Sequence, residues 1–167
     1  MLRHPRHSSG FTLIEALTAT VILAVTVTAV TVPFAAGASS GQSDGRGTVA
    51  AALAQEMMEE VISKPFYDPQ GSTALGPDGS ETRTGSTKFD NIDDYHNYTE
   101  AAGAIKSMSG IVINDPATVG LSRRVTTTYV YLTGQSQASP ATYIRVKVEV
   151  LYQGRPLVAV TRLCYAR

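Results

Sequence analysis

One uninterrupted apolar stretch lies near the start of the chain. It runs from Phe11 to Val32, twenty-two residues in which Glu15 carries the single charge. At about 1.5 Å rise per residue, a helix of this length spans the roughly 30 Å hydrocarbon core of a bilayer. Pro33 follows and removes one helical hydrogen bond, which predicts a kink or a stop there. The pattern predicts a membrane-spanning helix over residues 11–34.

Helical spacing of apolar residues returns farther along the chain, from Thr48 to Lys64. Six residues would form one apolar face: Ala50, Leu53, Ala54, Met57, Met58 and Val61. Three carboxylates are expected on the opposite, polar face: Glu56, Glu59 and Glu60. Glycines weaken residues 35–47 as a helix, and Pro65 is expected to end the helical segment. We therefore expect residues 35–64 to be a linker followed by an amphipathic helix.

The remaining sequence divides into a turn-rich region and a β-rich region. Gly, Pro, Ser and Asp recur through residues 65–120, which predicts a long, variable loop region held by Phe89, Ile92 and Tyr95. Residues 121–167 predict an antiparallel sheet, since Val, Thr, Tyr and Ile dominate them.

Three strands are predicted in this region, at Val125–Thr133, Thr142–Gln153 and Leu157–Tyr165. The middle strand alternates an apolar side with a charged side, which is typical of a sheet buried on one face. Gln153 to Pro156 would form the last hairpin turn. The inward side of the third strand stays open between two sets: Val158 and Val160, or Leu157, Ala159 and Leu163. The amphipathic helix is the natural cover for such a sheet.

Positive charge surrounds the apolar stretch unevenly. Arg3 and Arg6 precede it, and the next Lys or Arg is Arg46. Because basic residues stay on the cytoplasmic side of a membrane, the N-terminus is expected inside and everything after Val32 outside.

The junction between leader and apolar stretch carries a family resemblance. The run Gly10-Phe11-Thr12-Leu13-Ile14-Glu15 resembles the processing site of type IV prepilins and type II secretion pseudopilins. The resemblance implies that a prepilin peptidase removes residues 1–10, cutting between Gly10 and Phe11, and methylates the new amine of Phe11. It also implies a pilin-like α+β fold: a long N-terminal helix, transmembrane in its first half and amphipathic in its second, packed on a three- to four-stranded antiparallel sheet.

The resemblance implies a structural role rather than catalysis. Such a minor pilin or pseudopilin assembles with other subunits, the inner-membrane platform and the assembly ATPase, and moves from the bacterial inner membrane into the fibre. A lone charge at membrane depth is costly, so Glu15 would pair with the Phe11 amine of a neighbouring subunit. An alternative for Glu15 is that its side chain reaches the cytoplasmic headgroups.

Two other interpretations of the N-terminus stay open. A secretory signal peptide could be cut at the small residues Ala36-Gly37-Ala38, although its apolar core is normally only about 7 to 15 residues long. A plain signal anchor for an exported periplasmic domain would make Glu15 accidental.

Charge is distributed unevenly along a chain of 167 residues whose formal net charge is zero. Residues 48–120 contain four Lys and Arg and eleven Asp and Glu, whereas residues 121–167 contain seven basic residues and only Glu149 as an acid. These oppositely charged regions would suit contacts between subunits, which we favour, or they are solvated faces that keep the head soluble. An alternative function is a DNA-binding minor pilin of an uptake apparatus. Six basic residues suggest it: Arg123, Arg124, Arg145, Lys147, Arg155 and Arg162. Nucleic acid is not the favoured partner, because few aromatic residues accompany them.

Metal and catalytic chemistry have little support in the sequence. Asp90, Asp93 and Asp94 supply oxygen ligands that suit Ca²⁺, but their spacing does not fit an EF-hand loop. Calcium is therefore the one candidate cofactor. Cys164 is the only cysteine, which excludes an internal disulfide, and His96 has no identifiable nucleophile beside it. We expect no enzymatic activity.

Overall fold

The computed structural model of the chain describes residues 11–136 and 141–165, and it leaves out the side chains of residues 39, 42 and 43. The basic leader and Gly10 lie outside the described residues. The described elements, in chain order, are α1 (Leu13–Ile62), β1 (Thr99–Glu100), β2 (Leu121–Val130), β3 (Tyr143–Tyr152) and β4 (Arg155–Tyr165). Short 3₁₀ turns occur at Asp93–Tyr95 and Pro116–Thr118. The chain forms two compact units with a boundary between residues 43 and 44.

The first unit contains the apolar part of α1. Residues Leu13–Ala38 form a helix long and apolar enough to cross a membrane, and the side chains described in it are exposed. Pro33 lies inside α1 and does not end it, so of the predicted kink or stop, the stop is wrong. Such a helix is suited to anchor the chain in a bilayer.

Threonine hydroxyls within this apolar segment are satisfied by the helix itself. Five of them donate hydrogen bonds to a carbonyl three or four residues earlier, at 2.6 to 2.8 Å: Thr18, Thr20, Thr26, Thr28 and Thr31. An unsatisfied polar group costs several kcal/mol in hydrocarbon, whereas these hydroxyls need no external partner. The threonines are therefore compatible with a membrane span.

The second unit, residues 44–167, is called the head below. Its sheet has the strand order β1-β2-β3-β4, with each neighbouring pair antiparallel. All six residues of the predicted apolar helix face are buried, and they pack with the inward residues of β2 and β3. Phe89, Ile92 and Tyr95 belong to the same core. The predicted α+β architecture is confirmed.

The strand boundaries differ in detail from the sequence prediction. β2 begins at Leu121, earlier than predicted, and β1 was not predicted because a two-residue strand has no periodicity. The last hairpin turn is Gln153-Gly154 alone, with φ angles of 50° and 79°. Positive φ at both turn residues matches a type I′ turn, so the next two residues already belong to β4.

The inward side of β4 is now defined. Val158, Val160 and Cys164 pack against the core, whereas Leu157 and Leu163 are exposed. Of the two sets that the sequence left open, the valines face inward.

An ionic network lies inside the head. Arg83 bonds to Glu60 at 2.5 Å and to Glu100 at 2.7 Å, and Arg123 bonds to Glu100 at 2.6 Å. All four residues are at most 8% exposed. The network connects α1, the loop region, β1 and β2.

Hydrogen bonds satisfy the remaining polar atoms of this network. Arg123 donates to the backbone carbonyls of Leu53 and Lys106 at 2.9 and 2.8 Å. The Tyr95 hydroxyl donates to Glu60 at 2.8 Å. Burial alone would raise the pKa of Glu60, but hydrogen bonds from Arg83 and Tyr95 outweigh it and lower that pKa.

Two sequence predictions are corrected by this network. Glu60 does not lie on a solvent-facing side of α1 with Glu59, because its carboxylate reaches inward to Arg83. Arg123 does not belong to a basic surface, since it is 1% exposed.

Candidate functional site

The first turn of α1 is closed by a reciprocal pair of side chains. The Thr12 backbone N–H and hydroxyl donate to Glu15 Oε2 at 2.9 and 2.8 Å, and the Glu15 N–H donates to Thr12 Oγ1 at 3.4 Å. This arrangement is a capping box, in which a threonine and a glutamate three residues later satisfy N–H groups that the helix leaves open. The signal T-x-x-E was present in the sequence but was not interpreted as a cap.

The cap joins Glu15 to Thr12, the residue that follows the predicted new N-terminus at Phe11. Phe11 directly precedes Thr12 and is 87% exposed. Glu15 is also exposed, and both of its hydrogen bonds from Thr12 use the same oxygen. The cap is therefore a second role for Glu15, alongside the predicted contact between subunits. The cleavage site at Gly10 lies outside the described residues.

Carboxylates converge in the loop region of the head. Ligand atoms of Glu81, Asp90 and Asp94 lie within 4.8 Å of one another. Asp94 accepts hydrogen bonds from the N–H groups of Asp90 and Asn91 at 2.8 and 3.0 Å. The pKa of Glu81 is raised by burial and by the charges of Asp94 and Asp90.

The structure does not bring all three predicted calcium ligands together. The Asp93 carboxylate accepts a hydrogen bond from the Tyr129 hydroxyl instead of joining Asp90 and Asp94. Burial and the nearby charge of Asp94 raise the pKa of Asp93. Glu81 takes its place, and the sequence did not point to it because Glu81 lies nine positions before Asp90.

Calcium binding stays a prediction. The carboxylates of Glu81, Asp90 and Asp94 repel one another when no cation lies between them. Ca²⁺ bound there would remove this repulsion in the folded state and raise the melting temperature of the full chain in detergent. We expect a higher melting temperature in calcium than in chelator, and a smaller difference for Glu81→Gln. Equal melting temperatures of the wild-type chain in calcium and in chelator would contradict calcium binding.

The basic residues that suggested nucleic-acid binding do not form one accessible, unpaired surface. Arg123 is buried, and Arg124 and Lys147 pair with Glu149 at 2.8 and 2.7 Å. Phosphate contacts need cations that are accessible. The structure therefore gives this alternative no additional support.

Comparison with known proteins identifies one segment of the chain. Residues 5–31 match the family model described as the prokaryotic N-terminal methylation motif, which is the type IV pilin-type prepilin signal. The match covers part of the leader and most of the apolar stretch, and the head lies outside it. No curated protein and no solved structure matches the chain significantly.

Proposed function

We propose that the chain is a structural subunit, a minor pilin or pseudopilin, of a type IV pilus or a type II secretion pseudopilus. The observation that carries the proposal is the prepilin signal at residues 5–31. The α+β head, with a helix packed on an antiparallel sheet, is consistent with that role. No catalytic step is part of the proposed function.

Processing is the first step of the proposed function. A prepilin peptidase would cut between Gly10 and Phe11 on the cytoplasmic side and methylate the Phe11 amine. This cut precedes the apolar helix, so the anchor at Leu13–Ala38 stays in the mature chain. The mature subunit would span the inner membrane with its head in the periplasm.

Assembly is the second step. The Phe11 amine has a reference pKa of about 7.7 to 8 and is largely cationic near neutrality, and methylation retains that charge. Pairing it with Glu15 of a neighbouring subunit would relieve two isolated charges at membrane depth. The inner-membrane platform and the assembly ATPase would add the subunit to the fibre through its apolar helix.

The N-terminal peptide of the protein from its native membrane tests this proposal by mass spectrometry. We expect a peptide that begins at N-methylated Phe11. An intact leader beginning at Met1 would indicate a simple anchor. A start at Ser39 would indicate an ordinary exported protein, and either result would contradict the proposed function.

A further inference from the structure

The head presents one side of its sheet to solvent. Inward residues of β2 and β3 are buried in the core, whereas the alternate positions point away from it. The strand register places Thr128, Arg145 and Leu163 side by side, followed by Thr126, Lys147 and Thr161 in the next row. We call these six residues, together with Arg124, the outer sheet face.

This face carries excess positive charge. Arg124 and Lys147 share Glu149 as their partner, and their hydrogen bonds lower the pKa of Glu149. Arg145 forms no ion pair within the part of the chain that the structure describes. It lies beside Leu163, which is 56% exposed. An unpaired guanidinium next to exposed apolar surface is typical of protein-protein contacts.

The opposite charge lies in the loop region. Five carboxylates, here called the acidic cluster, approach one another there: Asp68, Asp78, Glu81, Asp90 and Asp94. None of them pairs with Lys or Arg among the residues that the structure describes. The hydrogen bond that the Asp78 carboxyl donates to Asp68, together with burial, raises the pKa of Asp78, because the two groups share one proton. The cluster is therefore a concentration of negative charge that no basic side chain of the described residues neutralises.

The two surfaces cannot neutralise each other within one head. The loop that carries the acidic cluster packs its Phe89 and Ile92 into the core, on the inner side of the sheet. Arg145 and Lys147 point to the other side of the same sheet. The complementary charges are thus on opposite sides of β2 and β3.

We propose that the outer sheet face of one head docks on the acidic cluster of a second copy of this chain. The contact would bring Arg145 against carboxylates that form no ion pair with Lys or Arg among the described residues of their own head, with Leu163 covered beside it. This inference rests on the proposed function as a fibre subunit and names the surfaces through which its heads meet.

Geometry gives the contact a direction. A contact between two different surfaces of identical subunits is heterologous, so each copy keeps one free surface for the next. Unless the rotation closes a ring, such a contact repeats without limit. An open array of heads is what a fibre requires, and a symmetric dimer would not provide it.

Cross-linking of the full chain in native membranes tests the contact. Cysteines would replace Ser80, which lies between Asp78 and Glu81, and Thr128, which lies beside Arg145, in a Cys164→Ala background. A short bis-maleimide should give a ladder of multimers when both cysteines are in one chain. Ser80→Cys or Thr128→Cys alone should give none, because like surfaces do not meet.

Charge reversal identifies which residues carry the contact. In the two-cysteine chain, Arg145→Glu should reduce the ladder on the order of tenfold, as should high salt. A second reversal, Asp78→Lys, should restore it. Arg155→Glu is the matched control: it is exposed on β4 about 26 Å along the strand from Leu163, and it should leave the ladder unchanged.

Each other result would overturn the contact. These are the absence of a ladder, dimers from a single cysteine, equal effects of Arg145→Glu and Arg155→Glu, or loss of the ladder on nuclease treatment, which would assign the face to nucleic acid. The N-terminal peptide, measured on the same membranes, decides the proposed function separately. A processed chain without a ladder overturns only the docking of heads.

Discussion

The variant Glu15→Ala is expected to enter the membrane and lose its leader like the wild-type chain, yet to be nearly absent from assembled fibres. In the proposed assembly the Glu15 carboxylate meets the Phe11 amine of a neighbouring subunit. Without it, that amine stays unpaired at membrane depth, which costs about 2.5 to 3.5 kcal/mol. This cost corresponds to a decrease on the order of a hundredfold in the recovered fibre fraction. Immunoblots of sheared fibre and membrane fractions measure it.

The capping box makes sharper controls available. Glutamine also completes a capping box, so Glu15→Gln keeps the helix cap and removes only the charge. Thr12→Ala removes the cap, worth about 1 kcal/mol, and keeps the charge. If charge pairing drives assembly, Glu15→Gln should be nearly absent from fibres, like Glu15→Ala. The fibre fraction of Thr12→Ala should decrease several-fold at most.

Two outcomes would contradict the pairing. Assembly of Glu15→Ala at the wild-type level would show that no charge is needed at this position. Normal assembly of Glu15→Gln together with failure of Thr12→Ala would show that Glu15 acts as a helix cap. Processing at Phe11 is measured in parallel, so that a variant that the peptidase rejects is not mistaken for one that cannot assemble.

Local patterns in the sequence predicted the parts of the fold that depend on local physics. The apolar face from Ala50 to Val61 follows from helical spacing, and the burial of Ile144, Val146, Val148 and Val150 follows from alternation along a strand. Each pattern places apolar side chains on one face of a single helix or strand. They become buried when that face packs against another element. No knowledge of distant residues was needed.

Contacts between distant residues were beyond such patterns. Glu60 lies at the edge of the polar face of α1, and only the loop brings Arg83 to it, from twenty-three residues away. Thr99–Glu100 became a strand because it pairs with Arg123 and Arg124. Glu81 joined Asp90 and Asp94 in the same way. The sequence showed these charges but not their partners.

The buried network gives the second large effect, since Arg123→Met should destabilise the head strongly. Removing this guanidinium leaves Glu100 with one cation instead of two. It also removes one donor each from the carbonyls of Leu53 and Lys106, of which the Lys106 carbonyl keeps a longer hydrogen bond from Arg83 at 3.3 Å. Breaking a buried ion pair by removing one partner costs about 3 to 5 kcal/mol. Since a typical domain has about 5 to 15 kcal/mol of stability, the loss is a large share of the total.

Thermal unfolding of the full chain in detergent measures this loss. Tyrosine signals in near-ultraviolet circular dichroism report on the head, because the apolar helix from Leu13 to Ala38 contains no tyrosine. Arg124→Met is the matched control: it is the neighbouring residue, but its side chain is 46% exposed and its ion pair with Glu149 should be worth about 1 kcal/mol or less. We expect a much lower melting temperature for Arg123→Met than for Arg124→Met.

A second substitution separates the ion pair from simple packing. In Arg123→Met, the additional change Glu100→Gln removes the negative charge that lost one of its partners, and it should recover part of the stability. No recovery would mean that the loss comes from the two carbonyls that Arg123 no longer caps. Equal melting temperatures of Arg123→Met and Arg124→Met would contradict the network itself. Arg123 is 1% exposed and pairs with a buried carboxylate, so its loss must lower the stability of the head more than the loss of an exposed arginine does.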